Sequence, residues 1–395
     1  MQRGVARIGS AVAVLAAGVS IGLVAGASPA PALATLAPPF HTAGNQILDA
    51  NGHVVVFRGI NDKELIDYAL PARPDLYTGV SYDAIRSWGT TVVRVMLAED
   101  FWLGDPQCPA YVGYRNLIDS IVSGITSRGM LAMIDLHNNP ETGATTVACT
   151  TGQLTYPGPT EMADAALAPT FWDSVARRYG SNPLVAFDLF NEPQYLAPYD
   201  STDGAGTKTY SIGYRAQIWH DGGLVRSHLP GNPPYLAAGM QQLYDAVRAT
   251  GATNLVFVSG TRPQPDGVGS LSPGGYDLRV AANDPLTGTN IVYASHPYYG
   301  PNCTTTPPDL GTVAMAVAST APTMFTEFGT ACSNGLLGAQ YVQNIISYAN
   351  SHGVGYVAYQ WESYYATSSY GLYASNSGYS PSIIGQPVHD DLISH

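Results

Sequence analysis

Charge is what this chain has least of. Asp, Glu, Lys and Arg together make up 12% of its 395 residues, with only 17 Lys and Arg among them, and the formal net charge is −12. Nucleic acid is excluded as a partner, because a phosphate backbone needs a basic face. An anionic lipid surface is excluded for the same reason. Cysteine is nearly as rare. The four present, Cys108, Cys149, Cys303 and Cys332, form no CxxC pair and have no neighbouring His, so they describe no metal site. No Gly-rich turn follows the first strand-like run, which removes the usual mark of a dinucleotide site. Neither a metal nor a cofactor is expected. Also missing are an internal repeat, a Ser/Thr/Pro linker and, beyond residue 34, any apolar run long enough to span a bilayer.

Apolar residues, by contrast, supply 45% of the chain, enough for a large core. Tyr (26), Gly (42) and Pro (29) are plentiful, so the surface is polar through hydroxyls and amides, which suits a neutral, hydroxyl-rich partner. Residues 1–34 read as a secretory signal. Arg3 and Arg7 open it, an apolar run covers Ile8 to Ala25, and Ala32-Leu33-Ala34 has the form of a cleavage site. An uncleaved anchor is the alternative. Export to an oxidising compartment makes disulfides the natural use of the cysteines. Cys108–Cys149 and Cys303–Cys332 are the expected pairs, since each pair follows neighbouring predicted strands. Either bridge would contribute roughly 3–4 kcal/mol by tying long loops. The mature chain, residues 35–395, is expected to be one secreted domain, monomeric and free of the membrane once the signal is cleaved.

Along that chain, Ile47–Gly52 reads as a small hairpin with Asn51-Gly52 as its turn. Apolar strand-like runs then alternate with helical patterns. The predicted strands are 54–61, 91–97, 131–137, 184–190, 254–259, 291–296, 323–328 and 356–361. Helical spacing of apolar residues marks 82–88, 117–125, 171–179, 240–249 and 341–349 between them. This alternation predicts an α/β fold, a parallel (β/α)8 TIM barrel, with an open doubly wound sheet as the competitor. Segments after strands, such as 62–80, 138–165 and 194–235, are long and rich in Gly, Pro, Asn and Tyr, whereas those before strands are short. Irregular chain is thereby concentrated on the carboxyl-terminal face, where barrels do their chemistry.

The polar residues that end these strands are Arg94, His137 with Asn138, Asn191 with Glu192, His296 with Tyr298, Glu327 and Trp361. Each alone has a bland use. A strand-end Glu can be an ion-pair partner, His137 a satisfied core histidine and Trp361 plain core. Gathered on one rim they are hard to explain by packing, because unpaired buried charge is costly. Glycoside hydrolysis needs such a set: two carboxyl groups flank the scissile bond, one giving a proton to the leaving oxygen and the other attacking or assisting. The two must differ in pKa. Glu327, with Arg94 and the Tyr298 hydroxyl to stabilise its charge, is the candidate nucleophile. Glu192, raised by apolar surroundings or by the nearby charge, is the candidate acid and then base. Asn191 can donate to a sugar 2-hydroxyl, and Trp361 can offer a flat face to a pyranose ring. Asp135 and Asp188 lie inside strands and read as interior hydrogen-bonding residues. Glu99 and Glu362 read as sugar contacts or surface groups. Trp102, Tyr195, Tyr199, Tyr299, Tyr364 and Tyr365 are candidate aromatics for outer subsites.

In order and in strand position, Arg94, His137, Asn191-Glu192, His296-x-Tyr298, Glu327 and Trp361 resemble glycoside hydrolase family 5, the retaining cellulase–mannanase family, over about residues 45–365. The resemblance implies that Glu192 is the acid/base and Glu327 the nucleophile, with His137 and His296 near the first-subsite hydroxyls and Tyr298 beside the nucleophile. It further implies a neutral β-linked glycan as substrate and an endo-β-1,4-glucanase activity. A β-mannanase or another β-glycosidase of the family is the alternative, and a non-catalytic carbohydrate-binding barrel is the rival from another class. Phe-Asp-Leu-Phe before Asn191, His296-Pro-Tyr-Tyr and Gln360-Trp-Glu-Ser depart from familiar cellulases and bear on substrate choice.

Overall fold

Eight short parallel strands, almost wholly buried, close on themselves. They are β1 (Arg58–Asp62), β2 (Val92–Ala98), β3 (Leu131–Asn138), β4 (Val185–Asp188), β5 (Val256–Ser259), β6 (Ile291–Ser295), β7 (Thr323–Phe325) and β8 (Gly355–Ala358). Neighbours in sequence pair in parallel all the way round, and β8 pairs with β1 to complete the ring. The fold is the expected (β/α)8 barrel. This computed structural model describes residues 35–62, 81–104, 114–138, 161–194, 210–226, 233–262, 275–299, 310–330, 332, 334–362, 370–374 and 378–395. The expected signal, residues 1–34, lies outside the described residues. So do three of the four cysteines, which leaves both expected disulfide pairings outside them too; Cys332 alone is described, and it is buried.

Strand alternation sorts the apolar side chains into two cores. Val92, Met133, Ala186, Phe257, Ala294, Met324 and Val357 form an inner cluster. Their sequence neighbours Val93, Ile134, Phe187, Val258 and Tyr293 join a separate outer cluster with helix residues such as Ile118, Trp172, Leu243 and Ile345. Two residues further along, the inward position turns polar. Val92 gives way to Arg94, Met133 to Asp135, Ala186 to Asp188, Ala294 to His296 and Met324 to Thr326, each of them fully buried. The barrel therefore has an apolar amino-terminal half and a polar carboxyl-terminal half. A hairpin, His41–Ala43 with Gln46–Leu48, adds Ile47 to the inner cluster, and Phe40 packs edge-on against Phe57 at 5.1 Å. The Asn51-Gly52 turn forms as predicted, with Asp49 accepting from the backbone N–H groups of Asn51 and His53. It closes a second antiparallel pairing on the same strand, with Leu48 bridged to Val54 and the backbone N–H of Val55 donating to the Ile47 carbonyl at 2.8 Å.

The helices follow from their apolar stripes and caps. In Tyr114–Thr126, Ile118, Ile121, Val122 and Ile125 are buried on one face, and burying each such side chain contributes roughly 1.5–3 kcal/mol. Ser81 caps the helix Tyr82–Ser87, accepting from Ala84 N–H. Asn334 caps Gly335–His352, which ends at Gly353 in the left-handed region, φ 65°. The stretch 194–235, predicted to be irregular, contains a helix, Ile212–Asp221, and one strand of the hairpin Gly222–Val225/Tyr235–Ala238. A second small pair, Tyr298–Tyr299 with Gly329–Thr330, carries the pairing of β6 and β7 up to the rim. Among the described residues no helix is long and apolar enough to cross a membrane.

Candidate active site

Arg94 organises the polar half of the barrel. Its Nε donates to Asp188 Oδ2 at 2.8 Å, and its Nη2 lies 3.0 Å from Asp135 Oδ2 and donates to Asn191 Oδ1 at 3.0 Å. Nη1 donates to Glu327 Oε1 and, at 3.3 Å, to Asn61 Oδ1. Burial opposes charge on the guanidinium, but Asp135, Asp188 and Glu327 outweigh it and hold Arg94 protonated. One cation cannot neutralise three buried carboxyls. Burial accordingly pushes Asp135 up to about 7 and Asp188 up to about 6 in spite of Arg94. Asp135 Oδ2 is also 2.6 Å from His137 Nδ1, while Asn191 Nδ2 donates to His137 Nε2 at 3.3 Å. That pairing puts the His137 proton on Nδ1 and fixes the Asn191 amide between His137 and Arg94. Asn61, which sequence reasoning overlooked, ties β1 across to β7 and β8 through the carbonyls of Thr326 (3.1 Å) and Val357 (3.2 Å).

Beyond β4 the chain turns sharply. Glu192 has φ 47°, a left-handed backbone that residues other than Gly rarely adopt. Its carboxyl there faces Glu327 across His296. His296 Nδ1 is 3.0 Å from Glu192 Oε1 and 3.8 Å from Glu327 Oε2, and one oxygen of each glutamate lies within 4.8 Å of the other. The two surroundings differ. Glu327 is ion-paired to Arg94 and accepts from the Tyr298 hydroxyl at 2.8 Å. Burial, and then the charge of Glu327, push the Glu192 carboxyl well above the usual carboxylate range. Burial, with Arg94 and His137, holds His296 well below its ordinary value, so it stays neutral between Glu192 and Thr326 Oγ1, 2.9 Å from Nε2. Burial and Glu327 also push Tyr298 up, keeping on the phenol the proton it donates. Gly275, at φ 73°, backs this cluster: a Cβ there would sit 3.2 Å from His296 Cγ and Nδ1. A cation could take one ligand atom each from Glu192, His296 and Glu327. Those atoms are already engaged with protein donors beside the Arg94 charge, an arrangement that favours proton transfer over cation binding.

Over residues 48–365 the sequence matches the cellulase family, glycosyl hydrolase family 5. The chain belongs to that family. An endoglucanase of Paenibacillus polymyxa is 23% identical over 284 residues, 68% of this chain and 62% of that relative, so this chain spans less than two thirds of the relative's length. Among solved structures, the catalytic domain of the major endoglucanase of Xanthomonas campestris pv. campestris is 17% identical with a TM-score of 0.61, over 90% of this chain and 100% of that one. A beta-glucanase from Saccharophagus degradans is 18% identical with a TM-score of 0.59, over 92% and 94%. At these identities the structural likeness shows a shared fold.

Within this family 5 barrel, Arg94, His137, Asn191, Glu192, His296, Tyr298 and Glu327 come together at the carboxyl ends of the strands. Asn138 closes β3 opposite Ala98, and its side chain lies outside what is described. Trp361 requires correction. It is 1% exposed and packs against Trp88 at 4.9 Å, Tyr373 at 5.0 Å and Tyr379 at 5.5 Å, leaving no face for a sugar. The strand ends at Ala358, so strand alternation does not extend to residue 361. Trp102 is corrected likewise: it is 1% exposed, with Nε1 donating to Ser174. Tyr298, which donates to Glu327, instead forms an aromatic cluster with Tyr359 and Tyr370, the three rings meeting edge to face at 5.5–6.0 Å. Glu99 is fully buried, which removes the surface alternative for it. Tyr195, Tyr199, Tyr364 and Tyr365 lie outside the described residues, as does the side chain of Tyr299.

Proposed function

We propose that this chain is a secreted, retaining endo-β-1,4-glucanase in which Glu327 is the nucleophile and Glu192 the acid/base. In the first step the Glu327 carboxylate attacks the anomeric carbon while Glu192 gives its proton to the leaving glycosidic oxygen, forming a glycosyl ester on Glu327. In the second step Glu192, now a carboxylate, takes a proton from water, which attacks the same carbon and releases Glu327. Asn191, held by Arg94 and His137, is positioned to hydrogen-bond the 2-hydroxyl as charge develops on the ring.

One observation carries this assignment. The carboxyl groups of Glu192 and Glu327 approach within 4.8 Å in unlike surroundings, one with its proton retained by burial and the other paired with Arg94. Retaining enzymes keep their carboxyls roughly 5–5.5 Å apart, whereas inverting enzymes separate them by about 6.5–9.5 Å to admit a water. A low-charge, hydroxyl-rich composition and an endoglucanase among the relatives favour a neutral glucan. Export through residues 1–34, a single mature domain, Cys108–Cys149 and Cys303–Cys332 bridges and a monomeric state complete the proposal. The test is a reducing-sugar assay over β-glucans, mannan and xylan, with the product anomer followed by NMR. Release of β-anomer from a β-1,4-glucan is expected. Activity confined to mannan would overturn the substrate, and α-anomer would overturn the mechanism.

A further inference from the structure

Glu192 sits in a conformation its own sequence opposes. A left-handed backbone is unfavourable for any residue with a side chain, and a following proline drives the preceding residue toward extended structure. Relaxed to either preference, the Glu192 carboxyl would leave His296 and Glu327. Two contacts oppose that. The Gln194 side chain turns back, and its Nε2 donates to the Glu192 carbonyl at 3.0 Å. From the segment after β5, the backbone N–H of Arg262 donates to the Pro193 carbonyl at 2.8 Å. Arg262 Nη1 then donates to Gln194 Oε1 at 3.1 Å. Since a guanidinium can only donate, that bond sets the amide oxygen toward Arg262 and leaves the NH2 group for the Glu192 carbonyl. Gln194 is itself pinned by its backbone N–H to the Glu161 carbonyl at 3.2 Å, and Arg262 by Arg215 Nη2 donating to its carbonyl at 2.8 Å.

We propose that Gln194 and Arg262 are positioning residues for the proton-transfer steps, a latch that holds the Glu192 turn in its left-handed form through two successive carbonyls. The proposal rests on Glu192 being the acid/base. The latch bonds reach Glu192, Pro193 and Gln194 but not Glu327, so loosening them impairs protonation of the leaving group and spares nucleophilic attack.

The test uses the full-length protein and two substrates, a β-1,4-glucan and dinitrophenyl β-cellobioside, whose leaving group departs without a proton. Glu192→Ala sets the reference. It should lose activity on the glucan and keep kcat/KM on the activated glycoside. Gln194→Glu keeps the side-chain size and the contact with Arg262 but removes the donor to the Glu192 carbonyl; Gln194→Leu removes both. Each should lower kcat/KM on the glucan about 10- to 100-fold, a share of the roughly 10²–10⁴-fold that a positioned acid supplies, with under about threefold change on the activated glycoside. Arg262→Met, which removes the donor to Gln194 Oε1 and keeps the backbone bond to Pro193, should likewise lower kcat/KM on the glucan, with under about threefold change on the activated glycoside. Thermal unfolding identifies any variant that does not fold, and Gln194→Glu carries the test if Gln194→Leu fails. Equal losses on both substrates, or no loss on the glucan while Glu192→Ala shows the split, overturns the latch. Absence of the split in Glu192→Ala itself overturns the acid/base assignment, and the latch with it.

Discussion

Replacing Arg94 with Met keeps a long apolar stem and removes the only cation that contacts Asp135, Asp188 and Glu327 among the described residues. Leaving a buried charge without its partner costs about 3–5 kcal/mol. Protons relieve part of that cost here. Burial already raises Asp135 to about 7 and Asp188 to about 6 with Arg94 in place, and losing the cation lifts both further. A carboxyl whose folded pKa lies above its unfolded value of 3.8 adds stability fully below 3.8 and loses it as pH rises through the folded pKa. The deficit of the variant should therefore grow with pH. Urea unfolding is expected to give a loss of about 1–2 kcal/mol at pH 5 and about 3–5 kcal/mol at pH 8. Since Arg94 also donates to Glu327 and Asn191, kcat on a β-glucan should fall at least ~10³-fold, the upper end for losing one preorganised donor. An equal deficit at both pH values, or kcat within tenfold of the parent, would refute the reasoning.

Other substitutions separate packing from chemistry. Trp361→Ala should destabilise by about 3–5 kcal/mol, as for a buried indole, while KM for glucan in the folded variant stays within about twofold; a raised KM at unchanged stability would contradict the burial of this ring. Gly275→Ala places a Cβ 3.2 Å from His296 in a left-handed backbone, so it should lower kcat/KM about tenfold or more, with a stability loss of about 1–3 kcal/mol. Wild-type kinetics in that variant would remove any role for Gly275 in seating His296. Asp135→Asn deletes a group raised to about 7, so the fall in Tm between pH 6 and pH 8 should flatten. A steeper fall would show that Asp135 does not hold a proton in the native state.

Much of the barrel was legible because alternation survives burial. Val92 inward and Val93 outward put Arg94 inward, and the same count along β3 and β4 delivers Asp135 and Asp188 to it. The strand-end residues Asn191, Glu192 and Glu327 were visible because Pro193 and the long loops marked where each strand stopped. Counting fails where a strand has ended. Trp361 lies three residues past Ala358, and there the chain path, not the pleat, sets which way the indole points. Asn61 sat in plain sight on β1, two positions after Gly59, but its use depends on carbonyls of β7 and β8 brought to it by closure of the ring. Gln194 and Arg262 were illegible for a related reason: their contact joins two loops 68 positions apart, and neither loop has a periodicity to read. The hairpin after helix Ile212–Asp221 is short and opens with Gly222-Gly223, too little pattern to distinguish it from a loop.

Trapping the covalent intermediate tests the double displacement most directly. A 2-deoxy-2-fluoro-cellobioside with a dinitrophenyl leaving group slows both steps by withdrawing electron density from the oxocarbenium-like transition state, yet its leaving group keeps ester formation the faster one. Intact-protein mass spectrometry should show one fluoroglycosyl group per chain with matching loss of activity, and peptide sequencing should put it on Glu327. A label on any other residue, or an active enzyme that accepts no label, contradicts a double displacement through Glu327.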